Sequence, residues 1–169
     1  FHSKWKDSEH VKIYFYNNGH KKSEGVYKDG VEDGLHTTWN ENGQKWSEIT
    51  YKDGVEDGLL TRWYENGQKQ YECNYTDGKE DGLCRAWYEN GNQRYEGLSY
   101  AEEPCCNGKL IHWYENGQKK SEDTFKDGQP DGLFTYWYDN GRKKNEGTYK
   151  DWELDGLFTD WYDNGRKKN

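Results

Sequence analysis

Tryptophan recurs through this chain on a nearly fixed period. Trp39, Trp63, Trp87, Trp113, Trp137 and Trp161 are separated by 24, 24, 26, 24 and 24 residues. Counting back 24 from Trp39 reaches Phe15, which is followed by Tyr16-Asn17-Asn18-Gly19, the same unit with phenylalanine as its anchor. The unit is seen most fully from Trp63 to Leu83, WYENGQKQYECNYTDGKEDGL. A fixed period of roughly 20–50 residues marks an array in which each unit buries its apolar side only against its neighbours. The chain divides into a half repeat at 1–11, repeats at about 12–34, 35–58, 59–82, 83–108, 109–132 and 133–156, and a truncated repeat at 157–169. Function is therefore expected along a repeated surface.

Within a unit, Gly58 to Tyr64 and Lys69 to Tyr75 both alternate and are rich in β-branched and aromatic residues. Glu65-Asn66-Gly67 lies between them, and Asn-Gly flanked by alternating strands is a strong hairpin signal. A two-residue turn at Asn66-Gly67 would pair Trp63 with Gln70 and Thr61 with Glu72. A type I turn with Gly67 in a left-handed bulge would pair Trp63 with Lys69, Thr61 with Tyr71 and Leu59 with Cys73. The second is preferred, because it gathers Leu59, Thr61, Trp63, Tyr71 and Tyr75 on one face, and a one-residue slip exchanges the faces. The expected fold is all-β, without helices: an elongated, twisted antiparallel meander of stacked hairpins. About 14 strands at about 4.8 Å each would run roughly 65 Å.

Leu, Ile, Val and Phe together make up only 21 of the 169 residues, and the net charge is -8. Such a balance ordinarily indicates disorder. The nine Trp and fifteen Tyr supply the missing area, since each aromatic side chain buries roughly 150–250 Å². Phe15, Trp39, Trp63, Trp87, Trp113, Trp137 and Trp161 are accordingly the expected aromatic core anchors. The acidic balance argues against nucleic acid, which needs a clustered basic surface. No apolar run reaches the roughly 20 residues that a spanning helix requires, so membrane insertion is not expected. The chain has no Met and starts at Phe1, as a processed product or a segment of something longer would.

The W-Y-x-N-G, K-x-x-E and D-G-x-x-D-G-L elements resemble the bacterial variant of the MORN repeat, over about residues 5 to 169. That variant makes up the YwqK-type proteins, often labelled antitoxins. The resemblance implies a stacked-hairpin fold and an immunity or antitoxin role, with the acidic surface covering a basic toxin site. In that case the location would be cytoplasmic.

The repeat between Trp87 and Trp113 carries two extra residues, one from Asn92 to Ser99 and one from Ala101 to Cys106. All four cysteines, Cys73, Cys84, Cys105 and Cys106, lie in or beside it. A redox pair is one reading, but there is no C-x-x-C. A zinc site is another, yet His112 is the only nearby histidine. An even count in one patch is better read as two disulfides, or one plus free thiols, in an oxidising compartment, with connectivity open. This favours an extracellular or cell-surface location.

Asp53, Glu56 and Asp57, Asp77, Glu80 and Asp81, and Asp127 and Asp131 offer oxygens that suit calcium. Asp-Gly turn chemistry explains them without metal, and no cofactor is expected. Glu24, Glu48, Glu72, Glu96, Glu122 and Glu146 recur at one phase as a ladder. Glycosidase carboxylates form one asymmetric pair in a cleft, so the ladder is read as cross-strand partners on a solvated face. Asn74-Tyr75-Thr76 is a sequon in form only. No nucleophile elbow, phosphate loop or metalloprotease motif occurs, and His2, His10, His20, His36 and His112 lack ligand spacing. An enzyme is not expected.

Tyr16, Tyr64, Tyr88, Tyr114, Tyr138 and Tyr162 each follow an anchor. They form either a second set of packing contacts or a binding stripe for protein or glycan. The leading function is a non-enzymatic scaffold acting through protein contacts. Alternatives are an antitoxin, a subunit of an extracellular filament, and a glycan-binding surface protein. The last copy breaks off at Asn169 in mid-strand, and Phe1, Ser3 and Trp5 can follow Arg166 and Lys168 to complete it. That match suits either a segment of a longer repeat protein or a head-to-tail homopolymer.

Overall fold

The computed structural model describes residues 9–99 and 107–168. No helix occurs among them, and none is long and apolar enough to cross a membrane. Residues up to Lys79 form one compact unit and those from Glu80 a second. The expected all-β fold of antiparallel, stacked hairpins is borne out in each.

The first unit contains β1 (Glu9–Phe15), β2 (Lys21–Lys28), β3 (Val31–Trp39), β4 (Lys45–Lys52), β5 (Val55–Glu56), β6 (Gly58–Trp63) and β7 (Lys69–Thr76). Each of its long strands pairs antiparallel with the next, and β5 also pairs with β4. After β8 (Lys79–Glu80) come β9 (Gly82–Trp87), β10 (Gln93–Ser99), β11 (Gly108–Trp113), β12 (Lys119–Lys126), β13 (Gln129–Trp137), β14 (Lys143–Lys150), β15 (Glu153–Leu154) and β16 (Thr159–Asp160). From β9 to β14 each strand again pairs with its successor, and β14 also takes β15 and β16.

Two kinds of turn alternate, both dictated locally. At the Asn-Gly end, Gly67 N–H donates to the Tyr64 carbonyl at 2.9 Å, Tyr64 N–H donates to Gln68 O at 2.9 Å, and the Asn66 side chain accepts from Gln68 N–H at 2.9 Å. Gly67 sits at φ +84°, the left-handed conformation that follows a type I turn. At the Asp-Gly end, Asp29-Gly30 has φ values of 51° and 87° while Lys28 pairs with Val31, a two-residue turn of type I′. The loop carboxylates considered for calcium thus include aspartates that occupy the first position of tight turns. Asp29, Asp53, Asp77, Asp127 and Asp151 all have positive φ near 50°.

The register combines the two hairpin alternatives. Trp63 faces Lys69, as in the preferred reading, but Arg62 faces Tyr71, Thr61 faces Glu72 and Leu60 faces Cys73. A second bulge at Gln70 absorbs one residue and restores the other register for the rest of the hairpin. Tyr71 and Tyr75 therefore share a face with Leu60, opposite Leu59, Thr61 and Trp63. The same shift recurs beside Phe15, Trp39, Trp87, Trp113 and Trp137.

The apolar core follows the face of Leu60. In the first unit its buried members are Ile49, Leu60 and Cys73, and in the second Cys84, Ala86 and Phe134. Glycine makes room for rings there. A Cβ built on Gly147 would lie 2.9 Å from two atoms of the Phe134 ring, and one on Gly25 would lie 3.1 Å from the His36 ring.

Candidate functional site

The tryptophans expected as core anchors lie on the other face. Trp39, Trp63, Trp87, Trp113, Trp137 and Trp161 are half-buried, and Phe15 is 59% exposed. Each of several indoles instead carries a lysine from the preceding hairpin. Lys21 Nζ is 5.5 Å from the Trp39 ring centre, Lys45 5.6 Å from Trp63, Lys119 5.7 Å from Trp137 and Lys143 5.9 Å from Trp161. These are cation–π distances.

The same lysines engage the glutamate ladder. Lys21 pairs with Glu24, Lys69 with Glu72 and Lys143 with Glu146, while Lys45 reaches Glu48 at 2.5 Å. Arg85 reaches Glu96 at 2.8 Å, and Lys109 and Lys119 both reach Glu122 at 2.5 Å. Those cations hold the carboxyls of Glu96 and Glu122 below their ordinary value against the opposing effect of burial. The ladder carboxylates are thus cation partners on a half-exposed face, as cross-strand pairs are.

The tyrosine stripe stitches hairpin tips together. Tyr16 Oη donates to the Trp39 carbonyl at 2.8 Å, Tyr88 to Trp113 at 2.8 Å, Tyr114 to Trp137 at 2.9 Å and Tyr138 to Trp161 at 2.9 Å. The asparagines of the turns do the same one step further on: Asn18 donates to the Glu41 carbonyl at 2.8 Å and Asn116 to Asp139 at 2.7 Å. Tyr64 is half-buried, and Tyr162 is 52% exposed.

The second bulge is a feature that the alternation of the sequence did not reveal. It places an extra side chain, Lys22, Trp46, Gln70, Arg94, Lys120 or Lys144, after the residue opposite each anchor. Bulges commonly re-aim a side chain in this way. In each unit, two successive bulge residues flank a surface groove. The first, of about 350 Å³, lies between Lys22 and Trp46 over Tyr16, Ser23 and His36. The second, of about 300 Å³, lies between Lys120 and Lys144 over His112, Ser121, Asp123 and Tyr136. Small-ligand sites run from roughly 300 to 1,000 Å³, so both are at the small end.

The floor of the second groove carries a carboxylate at a position where the other repeats have none. Asp123 stands where the other repeats place Gly25, Ile49, Cys73, Gly97 and Gly147. Ser121 faces His112 on one side and Tyr136 on the other. Burial raises the Asp123 carboxyl above the usual range, while hydrogen bonds from Tyr136 and Ser121 and the charge of His112 oppose that rise. Burial, then the bond to Asp123, pushes the Tyr136 hydroxyl up. Burial also holds the His112 imidazole down, against Asp123.

Cys73 and Cys84 are each buried and each disulfide-bonded, and a sulfur so engaged is no thiolate ligand for zinc. Cys105, Cys106, Phe1, Ser3 and Trp5 lie outside the described residues. Of the proposed assembly strand, Arg166 and Lys168 are exposed, with Lys168 reaching Asp160 at 2.8 Å.

Comparison with curated proteins finds no match. The family model of the MORN repeat variant matches residues 11–29, 32–53, 56–77, 107–127 and 130–151, well over half of the chain. Each matched segment is one hairpin of the geometry described above, and the chain belongs to the MORN repeat variant family.

Proposed function

We propose that this repeat scaffold is non-enzymatic and works by holding a protein partner, with Trp152 as one anchor. The observation that supports this is the turn at Asp151-Trp152. Four sister turns place Gly30, Gly54, Gly78 and Gly128 where this one places tryptophan, at φ 70°. A non-glycine residue there costs roughly 1–2 kcal/mol, and Trp152 is nevertheless 61% exposed. The indole edges a cavity shared with Phe125, Pro130 and Tyr149, yet most of it is left in water at this strained turn. Tryptophan is enriched among the residues that dominate binding energy at protein interfaces. Leu154, two residues further on and paired with Tyr149, is 54% exposed and extends the apolar surface. An oxidising, extracellular setting belongs to the same proposal, supported by the disulfide-bonded Cys73 and Cys84.

The test is competition. The chain carrying a photo-reactive residue at position 152 is irradiated in extract from its own source. A discrete adduct is expected, suppressed by excess unlabelled chain and not by excess Trp152→Gly. Equal suppression by both competitors, or no discrete adduct, refutes the reading.

A further inference from the structure

The groove between Lys120 and Lys144 holds chemistry that the scaffold does not use. Both lysines are exposed bulge residues. Their ammonium groups lie 5.7 and 5.9 Å from the ring centres of Tyr114 and Tyr138. Neither has a carboxylate partner among the described residues, whereas their neighbours Lys119 and Lys143 are bound to Glu122 and Glu146. Two unpaired cations at one groove are notable on a chain of net charge -8.

Below them the floor offers both senses of hydrogen bond. A carboxylate has about four acceptor sites, and the hydroxyls of Ser121 and Tyr136 approach that of Asp123 without filling them. The remaining sites require donors. His112, kept neutral by its burial, supplies one donor and one acceptor. The aromatic surface of Tyr114 and Tyr136 completes the lining.

These requirements select among ligands. A chloride or sulfate ion would use the lysines but meet the Asp123 carboxylate with nothing to donate. A neutral sugar would suit Asp123 and His112 and leave both ammonium groups unused. A small aliphatic carboxylate would leave the floor unsatisfied. A ring bearing one carboxylate and several hydroxyls answers all three parts, and the groove, at about 300 Å³, accommodates one such ring. We propose that the Lys120–Lys144 groove binds a hexuronic acid, its carboxylate between the two ammonium groups and its hydroxyls on Asp123, Ser121 and His112.

Trp152 does not line this groove, although it lines a neighbouring cavity with Asp123 and Tyr136, and the titration below needs no protein partner, so the two ideas fail independently. The test is an NMR titration of the intact chain with sodium glucuronate, glucose and sodium acetate, following the His112 ring and the Tyr114 and Tyr136 resonances. Saturable shifts are expected with glucuronate, with glucose and acetate each weaker by about tenfold or more, as the loss of one charged hydrogen bond implies. Lys120→Gln and Lys144→Gln, both at exposed positions that leave the fold intact, should each weaken glucuronate by about tenfold. Asp123→Asn should weaken glucuronate while binding acetate at least as well as the parent, since it removes a hydroxyl acceptor and a repulsive charge together. Absence of saturable shifts, equal affinity for glucose or acetate, or unchanged binding by both lysine variants overturns the proposal.

Discussion

Replacing Gly147 with alanine adds one methyl group at a crowded point of the second unit. The new Cβ would meet Cε1 and Cζ of Phe134 at 2.9 Å and Cδ2 of Phe158 at 3.4 Å. Phe134 is only 3% exposed, and its ring centre lies 4.6 Å from that of Tyr149 and 5.5 Å from that of Tyr136. Tyr136 and Tyr149 pack against the ring, so moving away from a new methyl group disturbs those contacts. Overpacking of this kind costs roughly 1–3 kcal/mol. Glycine to alanine in a strand returns about 0.5–1 kcal/mol, since φ at Gly147 is not in the left-handed region. A net loss of about 1–2 kcal/mol is expected. The decisive measurement is a double-mutant cycle with Phe134→Ala, which alone should cost roughly 3–5 kcal/mol. With the ring gone, Gly147→Ala should become neutral or slightly stabilising, giving a coupling of about 1–3 kcal/mol. Urea unfolding supplies the free energies, and hydrogen exchange of the β13 and β14 amides reports local opening, which repeat arrays allow. A Gly147→Ala chain as stable as the parent, or costs that simply add, would refute the seating of Phe134 over the glycine.

Trp152→Gly should raise stability by about 1 kcal/mol in the same urea assay by relieving the left-handed turn, while losing the competition described above. Tyr114→Phe removes the hydroxyl bound to the Trp137 carbonyl at 2.9 Å and should cost about 0.5–1.5 kcal/mol, whereas Tyr162→Phe at an exposed ring should be near neutral. The depressed Glu96 and Glu122 carboxyls contribute stability that is fully present above their ordinary value of 4.5 and is lost as pH falls through their lower folded values. A Glu96→Gln/Glu122→Gln chain should therefore show a flatter decline of stability below about pH 4.5 in acid titrations, and an unchanged slope would contradict the pairing. Cys73 and Cys84 should resist alkylation in the unfolded protein until reductant is added, as mass mapping of labelled peptides would show.

The period, the turns and the pairing of adjacent strands were legible because they depend on residues close in sequence. Asn66-Gly67 and Asp29-Gly30 specify their backbone conformations locally, and a repeat every 24 residues brings like beside like. The resemblance in the motif from Trp63 to Leu83 likewise sufficed to identify the family. The faces were a different matter. A side chain's face depends on the parity of every residue between it and the turn, and one bulge reverses that parity. Gln70 is such a residue, yet its alternating surroundings look the same whether or not it is bulged. Only the pairing of Thr61 with Glu72 and of Leu60 with Cys73 selects the bulged form. That choice removed Tyr71 and Tyr75 from the face of Trp63, set the indoles under lysines and seated the core around Leu60 and Phe134. The same bulge turned Lys120 and Lys144 outward as the two sides of a groove. Asp123 was visible as a letter out of phase with its repeat, but its meeting with His112, Ser121 and Tyr136 required three strands in register, which only tertiary hydrogen bonding could decide.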